Sequence, residues 1–190
     1  MRCVTCEKLS FNLICKSCQG RFFTPVFNKR ELSKNFFVYS FYEYDVVKEL
    51  LNSKYEFYGD RIYNILASLS FEKFASNFEF IEVVDAVAID DHTRHDFSHT
   101  AILTKYLKSK FISPKVNILK AKNEIKYAGK TLKFRKENPR DFVYKGKKDK
   151  NIILIDDIIT TGTTLLEAKR VVEKNGCKVL FALTLSDARF

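Results

Sequence analysis

Residues 151–164 read NIILIDDIITTGTT. An apolar run stops on two adjacent aspartates, then gives way to threonines around a single glycine. A core strand gains nothing from two like charges at its end, so the stretch asks for a ligand. The run is the strongest strand signal in the chain, and TTLLEAKRVVEKNG after it has the apolar spacing of an amphipathic helix stopping at Gly176. A strand leading through a Thr/Gly loop into a helix is an anion site, because loop amides and the helix N-terminus converge on one point. Gly162 permits close backbone approach. No Gly-x4-Gly-Lys-Ser/Thr pattern is present, so this is not a Walker A loop. In parallel sheets ligands sit outside the carboxyl ends of strands, where Asp156 and Asp157 fall. Carboxylates there repel a phosphate and should face neutral or cationic groups. Ribose hydroxyls, with or without Mg²⁺, meet that need, and the ligand that joins both demands is a phosphorylated ribose.

Working outward, FFVYSFYEY reads as one or two strands, and DVVKELLNSKYEF and GDRIYNILASLSFEKFA as helices separated by Gly59. EVVDAVAI is a short strand ending at Asp90 and Asp91, SHTAILTKYLKSKF a helix capped near Ser98, KVNILKA a second strand, and CKVLFALTL a closing strand. The stretch EIKYAGKTLKFRKENPRDFVYKGKKDK has weak periodicity and reads as a long loop or an irregular strand pair. Strands alternating with helices predict an α/β fold, a parallel sheet flanked by helices.

The chain has 190 residues, 46% of them hydrophobic, which suits one domain with a proper core plus a small appendage and excludes a disordered chain. No apolar stretch approaches the roughly 20 residues of a membrane span, and MRCVTCEKLS lacks a signal peptide's apolar stretch, so the expected location is cytoplasmic. The net charge of +10 sits in one segment: residues 105–150 carry 16 Lys or Arg against 4 Asp or Glu. Such a segment favours phosphate-bearing partners, or else forms a solvated lysine-rich surface.

Four of the five cysteines form two knuckles, Cys3-x2-Cys6 and Cys15-x2-Cys18. That spacing suits a tetrahedral structural Zn²⁺, with disulfides or an iron–sulfur cluster as rival readings. Residues 1–24 are therefore expected to be a zinc-ribbon-like module and residues 25–190 the main domain. Cys177 reads as a buried small hydrophobe. The histidines cluster in DHTRHDFSH; His95 and His99 have i, i+4 spacing, but the helix start near Ser98 favours a surface or DNA-contacting role over a metal site.

IILIDDIITTGTT resembles the phosphoribosyl-diphosphate (PRPP) signature of type I phosphoribosyltransferases, a Rossmann-like fold. The resemblance implies Asp156 and Asp157 on the ribose hydroxyls as the catalytic pair, with Thr160, Thr161, Gly162, Thr163 and Thr164 around the 5-phosphate. Paired knuckles ahead of such a domain resemble the ComF (ComFC) family of competence proteins. LLNSKYEFYGDRIYNILASL is similar to that family's lysine-containing helix pair, and Arg135, Asn138 and Phe142 match its Arg-x2-Asn-…-Phe element. HDFSH stands where the family has Arg-Gly-Phe-Asn-Gln, and Ala88-Ile89-Asp90-Asp91 replaces a Pro-x-Pro. Acidic residues at that place oppose a diphosphate unless Mg²⁺ intervenes, so ribose-phosphate binding is expected and turnover is left open.

The family resemblance implies handling of single-stranded DNA in natural transformation. Lys122, Lys126, Tyr127, Lys130, Lys133 and Arg135 are the expected DNA-binding residues, since cations can follow the backbone while rings stack on bases. Tyr106 and Phe111 read as core residues. Expected cofactors are structural Zn²⁺, and Mg²⁺ with the phosphoribosyl ligand. Expected partners are single-stranded DNA and proteins of the uptake channel or of recombination, with recruitment to the inner membrane surface. Nucleotide salvage is the enzyme alternative, with diphosphate displaced at the anomeric carbon; a PRPP-sensing DNA binder without turnover is the third reading.

Overall fold

The computed structural model describes residues 1–89, 97–123 and 131–189, apart from the side chains of Leu132, Arg135 and Lys136. Two CxxC knuckles lead into α1 (Lys16–Phe22), whose first turn is capped by the Cys15 sulfur accepting from the Cys18 amide at 3.4 Å. The polar strand β1 (Asn28–Ser33) then runs antiparallel to β2 (Phe36–Glu43). Helices α2 (Tyr44–Asn52), α3 (Gly59–Leu69) and α4 (Phe71–Asn77) follow, then β3 (Val84–Ala88), α5 (His99–Lys105) and β4 (Ile112–Lys115). Strand β5 (Leu119–Ala121), α6 (Leu132–Glu137) and β6 (Phe142–Tyr144) precede β7 (Asn151–Ile159), α7 (Thr163–Lys174) and β8 (Lys178–Asp187).

Six strands make one sheet in the order β1-β2-β8-β7-β3-β4, parallel except for β1 at its edge. Strands β5 and β6 pair antiparallel in a separate two-stranded sheet. The predicted α/β architecture is present, as a mixed, mostly parallel sheet flanked by helices. Several local expectations are corrected. KVNILKA is not one strand: Lys115 closes β4 in the large sheet, whereas residues 119–121 pair with β6. The helix expected over residues 59–75 breaks at Ser70, whose hydroxyl donates back to the Leu66 carbonyl. The basic stretch, expected as loop or strand pair, carries helix α6 and strand β6. Strand β1 gave no recognised signal, because its residues alternate half-buried and exposed rather than forming an apolar run.

Alternation along β7 builds the two core layers. Ile153 and Ile155 join a cluster with Val47, Leu51, Ile62, Leu66 and Leu103, from helices α2, α3 and α5. Ile152 and Leu154 face the other way, onto Leu165, Ala168 and Val172 of α7. Those three α7 residues recur at helical spacing, and burying a Leu or Val of this kind contributes about 1.5–3 kcal/mol. Cys3, Ile14, Cys18 and Phe23 of the N-terminal segment belong to the first cluster, so its buried residues are continuous with the core of the main sheet. Among the described residues, no helix is long and apolar enough to cross a membrane.

Candidate functional site

Parallel strands β2, β3, β7 and β8 all end at one edge of the sheet, where β7 passes into residues 160–164 and then α7. Gly162 occupies the N-cap of α7 with φ +79°, a left-handed conformation that costs glycine nothing. A Cβ there would lie 2.7 Å from Leu32 Cδ2, so a side chain would also require Leu32 to shift. The Thr161 and Thr163 hydroxyls are 3.0 Å apart, and Thr161 Oγ1 accepts from the Thr163 amide at 3.4 Å. Asp156, Thr160, Thr161, Gly162, Thr163 and Thr164 together line a hollow of about 20 Å³. That is room for about one water. A roomier groove of about 620 Å³ is lined by Phe27, Phe41, Phe74 and Phe78 and lies away from the acids.

The two aspartate side chains leave the strand on opposite sides. Successive strand residues point to opposite faces, so Asp157 continues the Ile153/Ile155 side and Asp156 the Ile152/Leu154 side. Asp157 is buried, at 4% exposure, and its Oδ2 accepts from Lys54 Nζ at 2.9 Å and from the Tyr63 hydroxyl at 3.2 Å. His99 Nε2 lies 3.6 Å from the same oxygen. Burial alone would raise the Asp157 carboxyl; Lys54 and His99 overcome it and hold the group well below the usual carboxylate range. In return, the Asp157 charge raises the Lys54 ammonium above its ordinary value against the effect of burial. Tyr63 is raised too, by burial and then by the charge of Asp157.

Asp156 is half-buried, and its Oδ1 accepts from the Asp157 amide at 2.9 Å. Burial and then the neighbouring Asp157 charge push its carboxyl up to about 8, with Arg140 and Lys54 pulling the other way. Lys54 thus balances the charge of Asp157, while burial beside that charge favours the protonated form of Asp156. Sequence reading grouped Lys54 only with a helix pair and passed over Tyr63. Their nearness to Asp157 spans 103 and 94 residues, which local pattern cannot register. Lys54 is carried by a short 3-10 turn, residues 53–55, that packs against Gly59; a Cβ on Gly59 would sit 2.0 Å from the Ser53 carbonyl oxygen.

His99 is half-buried and opens α5 beside Asp157, its ring 5.6 Å from that of Tyr63. Ser98 caps that helix, accepting from the Ala101 amide at 3.1 Å. His95, Asp90, Asp91 and Asp96 lie outside the described residues. So do Lys126, Tyr127 and Lys130, and nothing is described of the Arg135 side chain. Lys122 is exposed and pairs with Asp141 at 3.4 Å; Lys133, on α6, reaches Glu137 at 3.9 Å. Neither touches the hollow. Phe142 and Tyr144 are buried in the second core cluster. Tyr106 is half-buried and donates its hydroxyl to Asn64 Oδ1 at 3.0 Å, and Phe111 is likewise half-buried. Cys177 is buried, its thiol 3.2 Å from the Lys147 carbonyl.

The four N-terminal sulfurs lie within 4.8 Å of one another and none is in a disulfide. Four thiolates around Zn²⁺, with Zn–S bonds near 2.3 Å, stand about 3.8 Å apart. Cys6 and Cys15 are 3.8 Å apart, so the cluster fits that ion. Burial raises the Cys3 thiol, but backbone donors at Cys15, Thr5 and Cys6 bring it down to about 6. Cys18 is pushed up to about 12, by burial and then by hydrogen bonds with the other three sulfurs.

A model of the phosphoribosyl transferase domain matches residues 106–189. Competence protein ComFC of Streptococcus pneumoniae (strain ATCC BAA-255 / R6) is 25% identical over 186 residues, covering 93% of this chain and 76% of that protein. Among solved structures, a hypoxanthine phosphoribosyltransferase from Staphylococcus aureus matches at 14% identity with a TM-score of 0.39. That match covers 66% of this chain and 62% of the enzyme, less than two thirds of its length. The strand-end loop of the parallel sheet lies inside the matched region, so residues 106–189 are similar to the phosphoribosyl transferase domain, and the chain as a whole is similar to a competence protein of the ComFC kind.

Proposed function

We propose that the protein binds PRPP or a related phosphoribosyl ligand with Mg²⁺ at residues 156–164, and handles single-stranded DNA during natural transformation. The carrying observation is the hollow at the end of β7, where Asp156 meets the amides and hydroxyls of a loop nucleated by Gly162. Loop amides at the start of α7 suit the 5-phosphate, and Asp156 suits the ribose hydroxyls. Asp156 and the threonine hydroxyls are hard oxygen donors, which fits Mg²⁺ held by few protein ligands; the ion would neutralise the diphosphate. Asp157 acts from within, fixing the end of β7 through Lys54 and Tyr63. The Cys cluster holds a structural zinc in a module over residues 1–24, and residues 25–190 form the ligand-binding domain. The positive excess of residues 105–150 supplies the DNA surface, with exposed Lys122 and Lys133 on it.

Calorimetric titration with PRPP and Mg²⁺, then with a short single strand, tests both halves. Wild type should bind both, and Asp156→Ala should lose PRPP while keeping DNA affinity at low salt. DNA affinity should fall steeply with salt, and Lys122→Ala and Lys133→Ala should each lower the salt slope by about 1. Failure of wild type to bind PRPP would remove the ligand assignment. Release of diphosphate with a common base would instead make the protein a salvage enzyme.

A further inference from the structure

The phosphate loop is braced from the far side by strand β1, which no motif connects to it. Arg30 Nη1 donates to the Thr160 carbonyl at 2.8 Å and also lies 3.0 and 3.2 Å from the two carboxylate oxygens of Asp187. The Arg30 side chain is 10% exposed and that of Asp187 2%. Asp187 ends β8 opposite Ile159, the last residue of β7, so the guanidinium ties the loop's first residue to the neighbouring strand end. Two residues further along β1, Leu32 packs against Gly162, with the close distances noted above. Leu32 sits at the register shift of β1 between Glu31 and Ser33, and with Arg30 it lets β1 touch the loop at both its entry and its glycine.

We propose that Arg30 is a positioning residue for anion binding at residues 160–164, acting through the Thr160 carbonyl. In a planar trans peptide the carbonyl and the following N–H point in opposite directions. Drawing the Thr160 oxygen onto Arg30 therefore turns the Thr161 N–H away from β1, toward the side on which a ligand must sit. Asp187 balances the guanidinium charge, and Leu32 fixes the left-handed glycine. The loop is thus held in its binding conformation before the ligand arrives, and the ordering cost of binding falls. Arg30 need not touch the ligand. The inference rests on the phosphoribosyl-ligand reading for its effect on affinity, though not for its effect on the loop itself.

The test combines amide hydrogen exchange over residues 159–165 with calorimetric titration of PRPP and Mg²⁺. In Arg30→Met, exchange in the loop should quicken roughly tenfold or more, and PRPP affinity should fall by about the same factor. In R30M the buried Asp187 carboxylate keeps only the Arg189 amide at 3.1 Å and its guanidinium at 3.8 Å; the double variant R30M/D187N should regain part of the thermal midpoint lost in R30M without regaining loop protection. Arg30→Lys keeps the charge with a shorter reach and should fold like wild type with intermediate loop exchange. Loop exchange equal to wild type in the Lys and double variants, or loss of protection spread evenly over β7 and β8, overturns the proposal. If wild type fails to bind PRPP, the ligand reading falls, and the exchange arm still decides whether Arg30 orders the loop.

Discussion

Lys54 and Asp157, 103 residues apart in sequence, meet at 2.9 Å with both side chains largely withdrawn from solvent. Their contact links the turn after α2 to the end of β7, and Tyr63 completes it from α3. A salt bridge of this kind contributes little beyond a well-packed apolar pair, whereas removing one partner strands a buried charge.

Lys54→Met should accordingly destabilise the protein by about 3–5 kcal/mol. Adding Asp157→Asn should recover most of the loss. Urea unfolding of the single and double variants measures both, and a double variant no more stable than Lys54→Met would mean that the loss does not come from the Asp157 charge.

The two aspartates give opposite pH dependences. Asp157 titrates below its unfolded range, so its contribution is present above about pH 4 and is lost as pH falls further. Asp156, raised to about 8, works the other way: its stability is full below about pH 4 and drains away as pH rises through 8. In the ligand-free protein Asp156→Asn should therefore be more stable than wild type at pH 8. The gap should close by pH 4. Thermal midpoints of both proteins across that range are the measurement, and a pH-independent gap would contradict the assignment.

Gly162→Ala combines a left-handed backbone with a clash against Leu32. It should cost about 1–3 kcal/mol and weaken PRPP binding. Leu32→Ala in the same chain should return the part due to the clash and leave the conformational part. Equilibrium unfolding of the three variants separates the two.

Zinc removal should be felt beyond the knuckles, because Cys3 and Cys18 are buried in the cluster that also holds Phe41 and Leu66. Cys3→Ser with Cys6→Ser should bring metal content from about one zinc per chain to near zero and lower the unfolding midpoint. Retention of metal by that variant, measured by atomic absorption, would refute the four-sulfur site.

The sequence by itself determined β7, its loop and α7, since an apolar run, a glycine among threonines and helical spacing are local. The two knuckles were equally legible, because the chain between them is short enough to bring four sulfurs together. The helix cap at Ser98 was read correctly from its side chain alone. What the aspartates do was not local. Adjacent strand residues diverge to opposite faces, so Asp156 and Asp157, neighbours in sequence, have different partners in space. Which partners they find depends on strand order and on turns some 100 residues away, as with Lys54. Arg30 illustrates the same limit: the polar strand NKRELS offers no apolar pattern, and only its antiparallel seat at the sheet edge brings a guanidinium to Thr160 across 130 residues. Secondary structure follows from short-range torsion and periodicity, but charge pairing is fixed by packing of the whole sheet, and there the tertiary structure decided.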